Sequence, residues 1–166
     1  MKWRLTSALA LAALAGCAGL LTTPTTPEAI LRAADARLEQ MTFEKLIVFR
    51  GPQLFNYMDG AAEAYYSRGF LEMATADTRW RSTDAKVELY RLKTPENAAK
   101  LFEDFNDGKG KELPAGEASA AWKAKELEGI FHRGPFFCRI IIYGADKEAE
   151  VLLDTLSAAI DQAIPD

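Results

Sequence analysis

Cysteine, histidine and long apolar runs are scarce in this chain of 166 residues, which holds two cysteines and one histidine. A disulfide-rich scaffold and a histidine-rich metal centre are therefore excluded, because each needs several such side chains. Positive charge is not in excess, since 20 basic residues stand against 24 acidic ones, whereas a nucleic-acid-binding domain needs a basic face. With 49% hydrophobic residues, the composition indicates one ordinary globular domain, for which about 100–200 residues is typical.

The first sixteen residues, 1–16, have the composition of an export signal. Lys2 and Arg4 give a cationic start, an apolar run follows over 5–15, and small residues precede Cys17. A membrane-spanning helix needs about 20 apolar residues, so this run is too short to span the bilayer. A positive flank, a short apolar middle and a small-residue exit are typical of a secretory signal.

The exit sequence Leu14-Ala15-Gly16-Cys17 resembles the lipobox of bacterial lipoproteins. The resemblance implies cleavage after Gly16, a diacylglycerol thioether on Cys17 and acylation of the new amine. One acyl chain binds membranes only marginally, whereas two or more anchor a protein stably. Ala18 in place of Asp implies, in a Gram-negative host, the outer membrane facing the periplasm. The alternatives are an uncleaved signal and an ordinary signal with a chance cysteine.

Residues 17–27 are predicted to be the lipidated cysteine and a Thr/Pro tether, and residues 28–166 a single domain. A proline-rich segment stays extended at about 3.1 Å per residue, so the domain would float within about 30 Å of the lipid surface. Thr26 and Pro27 have the residue types of a helix N-cap and a first helical position.

Hydrophobic periodicity predicts an α+β fold. Apolar residues at helical spacing indicate helices over 28–41, 53–68, 94–105 and 146–163. Apolar runs bounded by turn residues indicate strands at 46–49, 70–80, 86–93, 120–125, 129–133 and 136–143. Consecutive hairpins followed by helices imply an antiparallel sheet of about five or six strands, with the helices packed mainly on one face.

Two strand–helix stretches look alike at a constant offset of 51 positions. Five apolar positions correspond: Leu89, Ala98, Leu101, Phe102 and Phe105 with Ile140, Ala149, Leu152, Leu153 and Leu156. The similarity indicates either a duplicated ββα unit or the pattern that any two strand–helix units share.

The most distinctive stretch runs over 54–70 and begins Leu-Phe-Asn-Tyr-Met-Asp-Gly-Ala-Ala-Glu-Ala-Tyr-Tyr. Together with the closing Gly-Phe at 69–70, it resembles the motif of an uncharacterised family of exported bacterial proteins, a domain of unknown function. The resemblance continues loosely over most of the domain. It implies a fold and a compartment, and it brings no activity, substrate or cofactor.

The candidate ligand-binding residues in this stretch are Tyr57, Asp59, Glu63, Tyr65 and Tyr66. Asp59 and Glu63 are four apart and would share a helix face, where two like charges cost about 0.2–0.5 kcal/mol. A bound cation, a ligand amine or an arginine of the sheet would offset that repulsion. The candidate arginines are Arg79, Arg81, Arg91, Arg133 and Arg139.

A structural interpretation of the same motif stays open. Gly60 inside a helix costs about 1 kcal/mol relative to alanine, which indicates either the close approach of another backbone or a helix that begins only at Asp59. In the second case Asp59 is a cap. The three tyrosines would then be core packing with hydroxyls at the rim.

The sequence contains no catalytic constellation, because nucleophile elbows, phosphate loops, dinucleotide fingerprints and His-Glu-x-x-His are all missing. Cys138 lies in an apolar strand and is interpreted as a buried small hydrophobe; a dyad with His132 would lack an orienting group. We therefore expect a lipid-anchored, non-catalytic binding or scaffolding domain with no cofactor, metal or nucleic acid.

Two alternatives to that expectation remain. A small-ligand binder or carrier would have its site near Asp59, Glu63 and Tyr65, in a mostly apolar pocket of about 300–1,000 Å³. An enzyme of unknown class would show at least two titratable groups with shifted pKa values that converge on a cleft.

Overall fold

The computed structural model describes residues 25–166. The predicted signal, Cys17 and most of the predicted tether lie outside the described residues. Within 25–166, every helix is too short or too polar to cross a bilayer.

Six strands form one antiparallel sheet, as predicted. They are β1 Glu44–Arg50, β2 Phe70–Trp80, β3 Thr83–Leu92, β4 Ala118–Lys123, β5 Leu127–Arg133 and β6 Phe136–Ile142. Their order across the sheet is β1-β2-β3-β6-β5-β4. The two halves of the sheet are therefore β1-β2-β3 and β4-β5-β6, and they join where β3 pairs with β6.

Five α-helices and two short 3-10 turns complete the described residues. They are α1 Pro27–Asp35, η1 Gly51–Leu54, α2 Phe55–Met58, η2 Asp59–Ala61, α3 Ala62–Ser67, α4 Pro95–Phe105 and α5 Lys147–Asp161. Thr26 caps α1 by accepting a hydrogen bond from the backbone N–H of Ala29, which confirms the predicted helix start. Thr94 caps α4 in the same way.

Two predicted helices are shorter than expected. α1 ends at Asp35 rather than at 41 because the chain turns back there, and the Asp35 carboxylate accepts a hydrogen bond of 2.6 Å from the backbone N–H of Phe43. The helix predicted over 53–68 is broken into the four pieces from η1 to α3, with Asp59 at the break. Its apolar stripe is intact, since Leu54 and Ala62 are both buried.

Helices cover both faces of the sheet, which differs from the predicted packing mainly on one face. Because successive strand residues point to opposite faces, one face packs against α1 and α5 and includes Leu89 and Cys138. The other face packs against α3 and α4 and includes Tyr90 and Phe137. Where Leu89-Tyr90 of β3 pairs with Phe137-Cys138 of β6, the two central strands are apolar on both faces. A short apolar run of this kind does not reveal whether helices cover one face of the sheet or both.

The fold contains the order strand, strand, helix twice, as β2-β3-α4 and β5-β6-α5. However, α4 packs on the face that carries Tyr90, whereas α5 packs on the face that carries Leu89. The two units are therefore not copies of one three-dimensional arrangement. The structure favours the second interpretation of the internal similarity, namely the pattern common to any strand–helix pair.

Candidate functional site

A buried carboxylate, Glu88, lies at the centre of the face that α3 and α4 cover, and its residue is 3% exposed. Its Oε1 accepts a hydrogen bond of 2.5 Å from the Tyr57 hydroxyl, and its Oε2 accepts one of 2.8 Å from the Tyr90 hydroxyl. The Arg139 guanidinium lies 3.7 Å from Oε2 and also donates, at 2.6 Å, to Glu128. These five residues are called the Glu88 cluster, in which the buried acid has two hydrogen-bond donors and one cation.

The tyrosines of this region are held in their protonated form. Burial, together with the neighbouring Glu88 carboxylate, raises the pKa of Tyr57 far above its ordinary value. Burial also raises the pKa of Tyr90 and of Tyr65, whose ring stacks on Tyr90 with a centroid distance of 4.4 Å. At neutral pH these hydroxyls therefore act as hydrogen-bond donors rather than as bases.

Tyr57 and Tyr65 attach the segment from η1 to α3 to the sheet, and the hydroxyl of Tyr66 joins α3 to the start of η1. Tyr57 is half-buried and donates to Glu88, Tyr65 is buried in the core, and the Tyr66 hydroxyl donates to the Gly51 carbonyl at 2.6 Å. This geometry corresponds to core packing, with the hydroxyls of Tyr57 and Tyr66 hydrogen-bonded, and it agrees with the structural interpretation of the motif. Of the three, only Tyr57 reaches a charged group.

Asp59 and Glu63 do not share a helix face, contrary to the prediction. Asp59 lies at a break with φ 48° and ψ −131°, whereas Glu63 lies in α3, and both side chains are exposed. The arginines that were predicted to offset their charges pair elsewhere, namely Arg79 with Asp84, Arg81 with Glu148, Arg91 with Glu72, Arg133 with Asp161 and Asp166, and Arg139 with Glu128.

Of the two reasons expected for Gly60, a helical segment that begins at Asp59 is present, since α2 ends at Met58 and η2 begins at Asp59, whereas the close approach of another backbone is wrong. A Cβ atom at Gly60 would meet no atom within 4 Å, so no other backbone approaches it closely. The expected capping role of Asp59 is not seen, because Met58 is the N-cap position of η2 and this turn has no side-chain capping bond. The strained backbone is instead at Asp59, in a region that glycine adopts far more readily than aspartate.

We expect Asp59→Gly to raise the free energy of unfolding by about 1 kcal/mol, because it relieves a positive φ at a residue with a side chain. The matched change Gly60→Ala is expected to raise it by about 0.4–1 kcal/mol through the entropy of the unfolded chain. Urea titration of both variants measures these effects. A loss of stability in Asp59→Gly would show that the carboxylate makes a stabilising contact.

Beside the Glu88 cluster, the same sheet face is left uncovered and forms a cleft of about 540 Å³. The charged cleft, as we call it, is lined by the side chains of Glu44, Lys45, Asp77, Arg79, Asp84, Lys86 and Tyr143. Its position follows from β3, on which Asp84, Lys86 and Glu88 point to one face. Tyr57 borders both regions, since its ring centroid lies 6.0 Å from the Lys86 ammonium.

Within 25–166, each of the three bases of the charged cleft pairs with one of its two aspartates, whereas Glu44 forms no ion pair. Arg79 donates twice to Asp84, at 2.5 and 3.0 Å, and this bond lowers the pKa of Asp84. The Lys86 ammonium lies 3.1 Å from one oxygen of Asp77, and the Lys45 ammonium lies 3.6 Å from the other. Sequence reasoning missed this cleft, because alternating charges on β2 and β3 indicate only a solvent-facing side of a strand.

The charged cleft is not the pocket expected for a carrier. Its lining includes neither Asp59 nor Glu63, and it consists mainly of charged rather than apolar side chains. Two of the tyrosines with raised pKa values, Tyr57 and Tyr90, lie beside it in the Glu88 cluster, with their hydroxyls already bonded to Glu88. The arrangement supplies fixed donors and acceptors for a polar ligand.

Cys138 and His132 lie on opposite faces of the β5–β6 hairpin. Cys138 is fully buried against α1 and α5, and burial raises the pKa of its thiol well above the ordinary value. The His132 ring instead packs against Phe102 of α4, with ring centroids 5.5 Å apart. A Cys–His dyad is therefore impossible in this fold, and Cys138 is the buried hydrophobe that the sequence predicted.

The chain has a single histidine, His132, so the effect of histidine titration on the stability of the fold can be assigned to one residue. Within 25–166, His132 Nδ1 is buried without a hydrogen-bond partner, and the nearest carboxylate oxygen, on Glu117, is 3.7 Å away. Burial lowers the pKa of His132, while Glu117 and Glu103 act in the opposite direction. The unfolded chain then takes up a proton at a higher pH, near about 6.5, than the folded chain.

Stability is therefore expected to be full above pH about 7 and to be lost as the pH falls through about 6.5. Thermal melts between about pH 7.5 and pH 5.5, above the ordinary carboxyl pKa values, measure the effect. His132→Gln removes the titrating group and should flatten the profile. A melting temperature that rises on acidification would contradict the prediction and show that the Glu117 pairing dominates.

No protein-family model and no curated protein sequence matches the chain. Among solved structures, the extracellular domain of PknH from Mycobacterium tuberculosis is similar, with a TM-score of 0.49 and 9% sequence identity, over 80% of this chain and 90% of that chain. At this level of identity the likeness concerns the arrangement of elements and says nothing of function.

Proposed function

We propose that this protein is exported, is anchored to a membrane surface by lipid on Cys17, and binds a polar partner in the charged cleft without catalysing a reaction. In a Gram-negative cell, Ala18 favours the outer membrane, with the domain facing the periplasm. The observation that carries the proposal is the cleft of about 540 Å³ on a sheet face that helices otherwise cover.

The cleft is well suited to binding because its side chains stand on rigid elements. Most of them project from β2 and β3, which pair with each other along their length. Ion pairs such as Arg79–Asp84 fix their orientation. A site held in this way needs little reorganisation when a ligand arrives, which favours affinity.

The lipid anchor would supply the membrane affinity that the domain itself lacks. The chain is acidic, with a formal net charge of −4, and acidic proteins have no electrostatic attraction to anionic lipid. Two or more acyl chains on Cys17 would provide the membrane affinity. The tether over 17–27 would then keep the start of the domain within about 30 Å of the surface.

Photo-cross-linking in producing cells tests the binding function. A photoreactive residue at position 143 replaces Tyr143, which is 49% exposed in the cleft, and the control replaces Val151, which is 46% exposed on α5. We expect an adduct from position 143 and not from position 151. The adduct should disappear when Arg79 and Asp84 are both changed to alanine. Equal adducts from both positions, or none from position 143, would contradict the proposal.

A second candidate site is favoured by one observation, the strained backbone of Asp59 at an exposed position. Strained residues persist where the side chain has a role, so a ligand contact near Asp59, Glu63 and Tyr65 is the alternative function. It predicts that Asp59→Gly raises stability while abolishing the protein's role in cells. A fully active Asp59→Gly variant would exclude it.

A further inference from the structure

We infer that the charged cleft takes a neutral, hydroxyl-rich ligand, a saccharide, that packs one ring face on Tyr143. The inference rests on the proposed binding function of the same cleft and names the chemical class of its ligand. Three features support it: the pairing of the charges, the hydrogen-bonding capacity that the pairs leave free, and the exposed aromatic ring.

The first feature is the balance of charge. Three bases and three acids line the cleft, and Arg79, Lys86 and Lys45 are each already paired with an aspartate. An anionic ligand would have to compete with an existing ion pair at every base of the cleft, and a cationic ligand would find only Glu44 unpaired among the described acids. A neutral ligand displaces no ion pair, so the electrostatics favour it over an anionic one and offer a cationic one a single carboxylate.

The second feature is the hydrogen-bonding capacity that remains. Arg79 has five N–H donors, of which two reach Asp84. Each lysine has three N–H donors, and the ammonium groups of Lys86 and Lys45 lie 3.1 Å and 3.6 Å from oxygens of Asp77. The two oxygens of each carboxylate together offer about four sites that accept hydrogen bonds. The cleft therefore presents several free donors and acceptors without net charge, which matches a ligand with many hydroxyl groups.

The third feature is the ring of Tyr143, which follows the last residue of β6. Its side chain is 49% exposed, although it is a large aromatic residue. The backbone N–H of Tyr143 donates to the Asp84 carbonyl at 2.9 Å, and Tyr143 lines the same cleft as the Arg79–Asp84 pair. An aromatic ring next to fixed polar groups offers an apolar surface and hydrogen bonds together, as a pyranose with its apolar C–H face and equatorial hydroxyls requires.

Calorimetric titration of the full chain tests the ligand class, in a detergent without a sugar headgroup. The neutral probes are chitotetraose, cellotetraose and maltotetraose, and the charged probes are the cationic chitosan tetramer and anionic tetragalacturonate. We expect at least one neutral tetrasaccharide to bind at concentrations up to about 10 mM and to bind more tightly than either charged probe. Added salt should change its affinity less than about twofold, because no net charge is neutralised.

Tyr143→Ala is expected to weaken that binding about tenfold, the effect of a lost aromatic contact. Phe55→Ala is the matched control, since Phe55 is also exposed, at 45%, but lies in α2 outside the cleft. The inference is overturned if no neutral tetrasaccharide binds, if a charged probe binds best, or if both variants lose affinity equally. If cross-links from position 143 still form in cells in such a case, the binding function stands and only the ligand class is wrong.

Discussion

Replacing Glu88 by alanine is expected to lower the free energy of unfolding by about 3–5 kcal/mol. The carboxylate is buried, and it is the shared acceptor for the hydroxyls of Tyr57 and Tyr90 and a neighbour of the Arg139 guanidinium. Its removal leaves two donors and part of a cation without a partner in the interior. Unpaired buried groups are costly because they have given up their hydrogen bonds to water.

Urea-induced unfolding, followed by tryptophan fluorescence, measures this loss. Glu88→Gln retains an acceptor oxygen and should lose less stability than alanine. The control Glu63→Ala changes an exposed acid in the same motif segment that packs on Glu88, and surface changes of this kind stay within about 0.5 kcal/mol. A loss below about 1 kcal/mol for Glu88→Ala would show that the cluster contributes little beyond the surrounding packing.

Gly116→Ala is expected to cost about 2–4 kcal/mol, from backbone strain and crowding together. Gly116 has φ +75°, and a Cβ atom there would lie 2.6 Å from the His132 carbonyl oxygen and 3.0 Å from the Phe131 Cβ. Backbone atoms cannot move aside as the end of a flexible side chain can. The loop that leads into β4 must therefore shift away from β5 for the methyl group to fit.

Gly108→Ala separates the two contributions. Gly108 has the same φ of +75°, but a Cβ atom there would meet nothing within 4 Å. Only the strain of a left-handed residue applies, which is about 1 kcal/mol. Urea titration should thus give a clearly lower free energy of unfolding for Gly116→Ala than for Gly108→Ala. Equal losses would mean that the loop relaxes freely and does not pack on β5.

Local signals in the sequence predict much of this fold. Thr26 and Thr94, each followed by proline, mark two helix starts, and Gly134-Pro135 marks the turn between β5 and β6. These features depend on a few neighbouring residues, so one sequence is enough to read them. The break at Asp59 escapes such reading, because apolar spacing reports which side chains face the core and not the backbone angles between them.

The Glu88 cluster could not be predicted in the same way. Tyr57 precedes Glu88 by 31 positions, and Arg139 comes from a strand that pairs with β3 only in the folded sheet. On its own strand, Glu88 follows Lys86 at an alternate position, which indicates a solvent-facing side. Burial of the acid depends on which helix segment covers that side, and this is a tertiary property that the sequence pattern does not contain.

Whether lipid on Cys17 holds the protein at a membrane is measured most directly by the intact mass of material extracted from producing cells with detergent. The expected mass is that of a chain beginning at Cys17 with acyl groups added. Cys17→Ser should abolish the addition, while Cys138, which is fully buried, remains in both forms as the unmodified thiol. A mass equal to that of the bare polypeptide, with or without residues 1–16, would contradict the anchor.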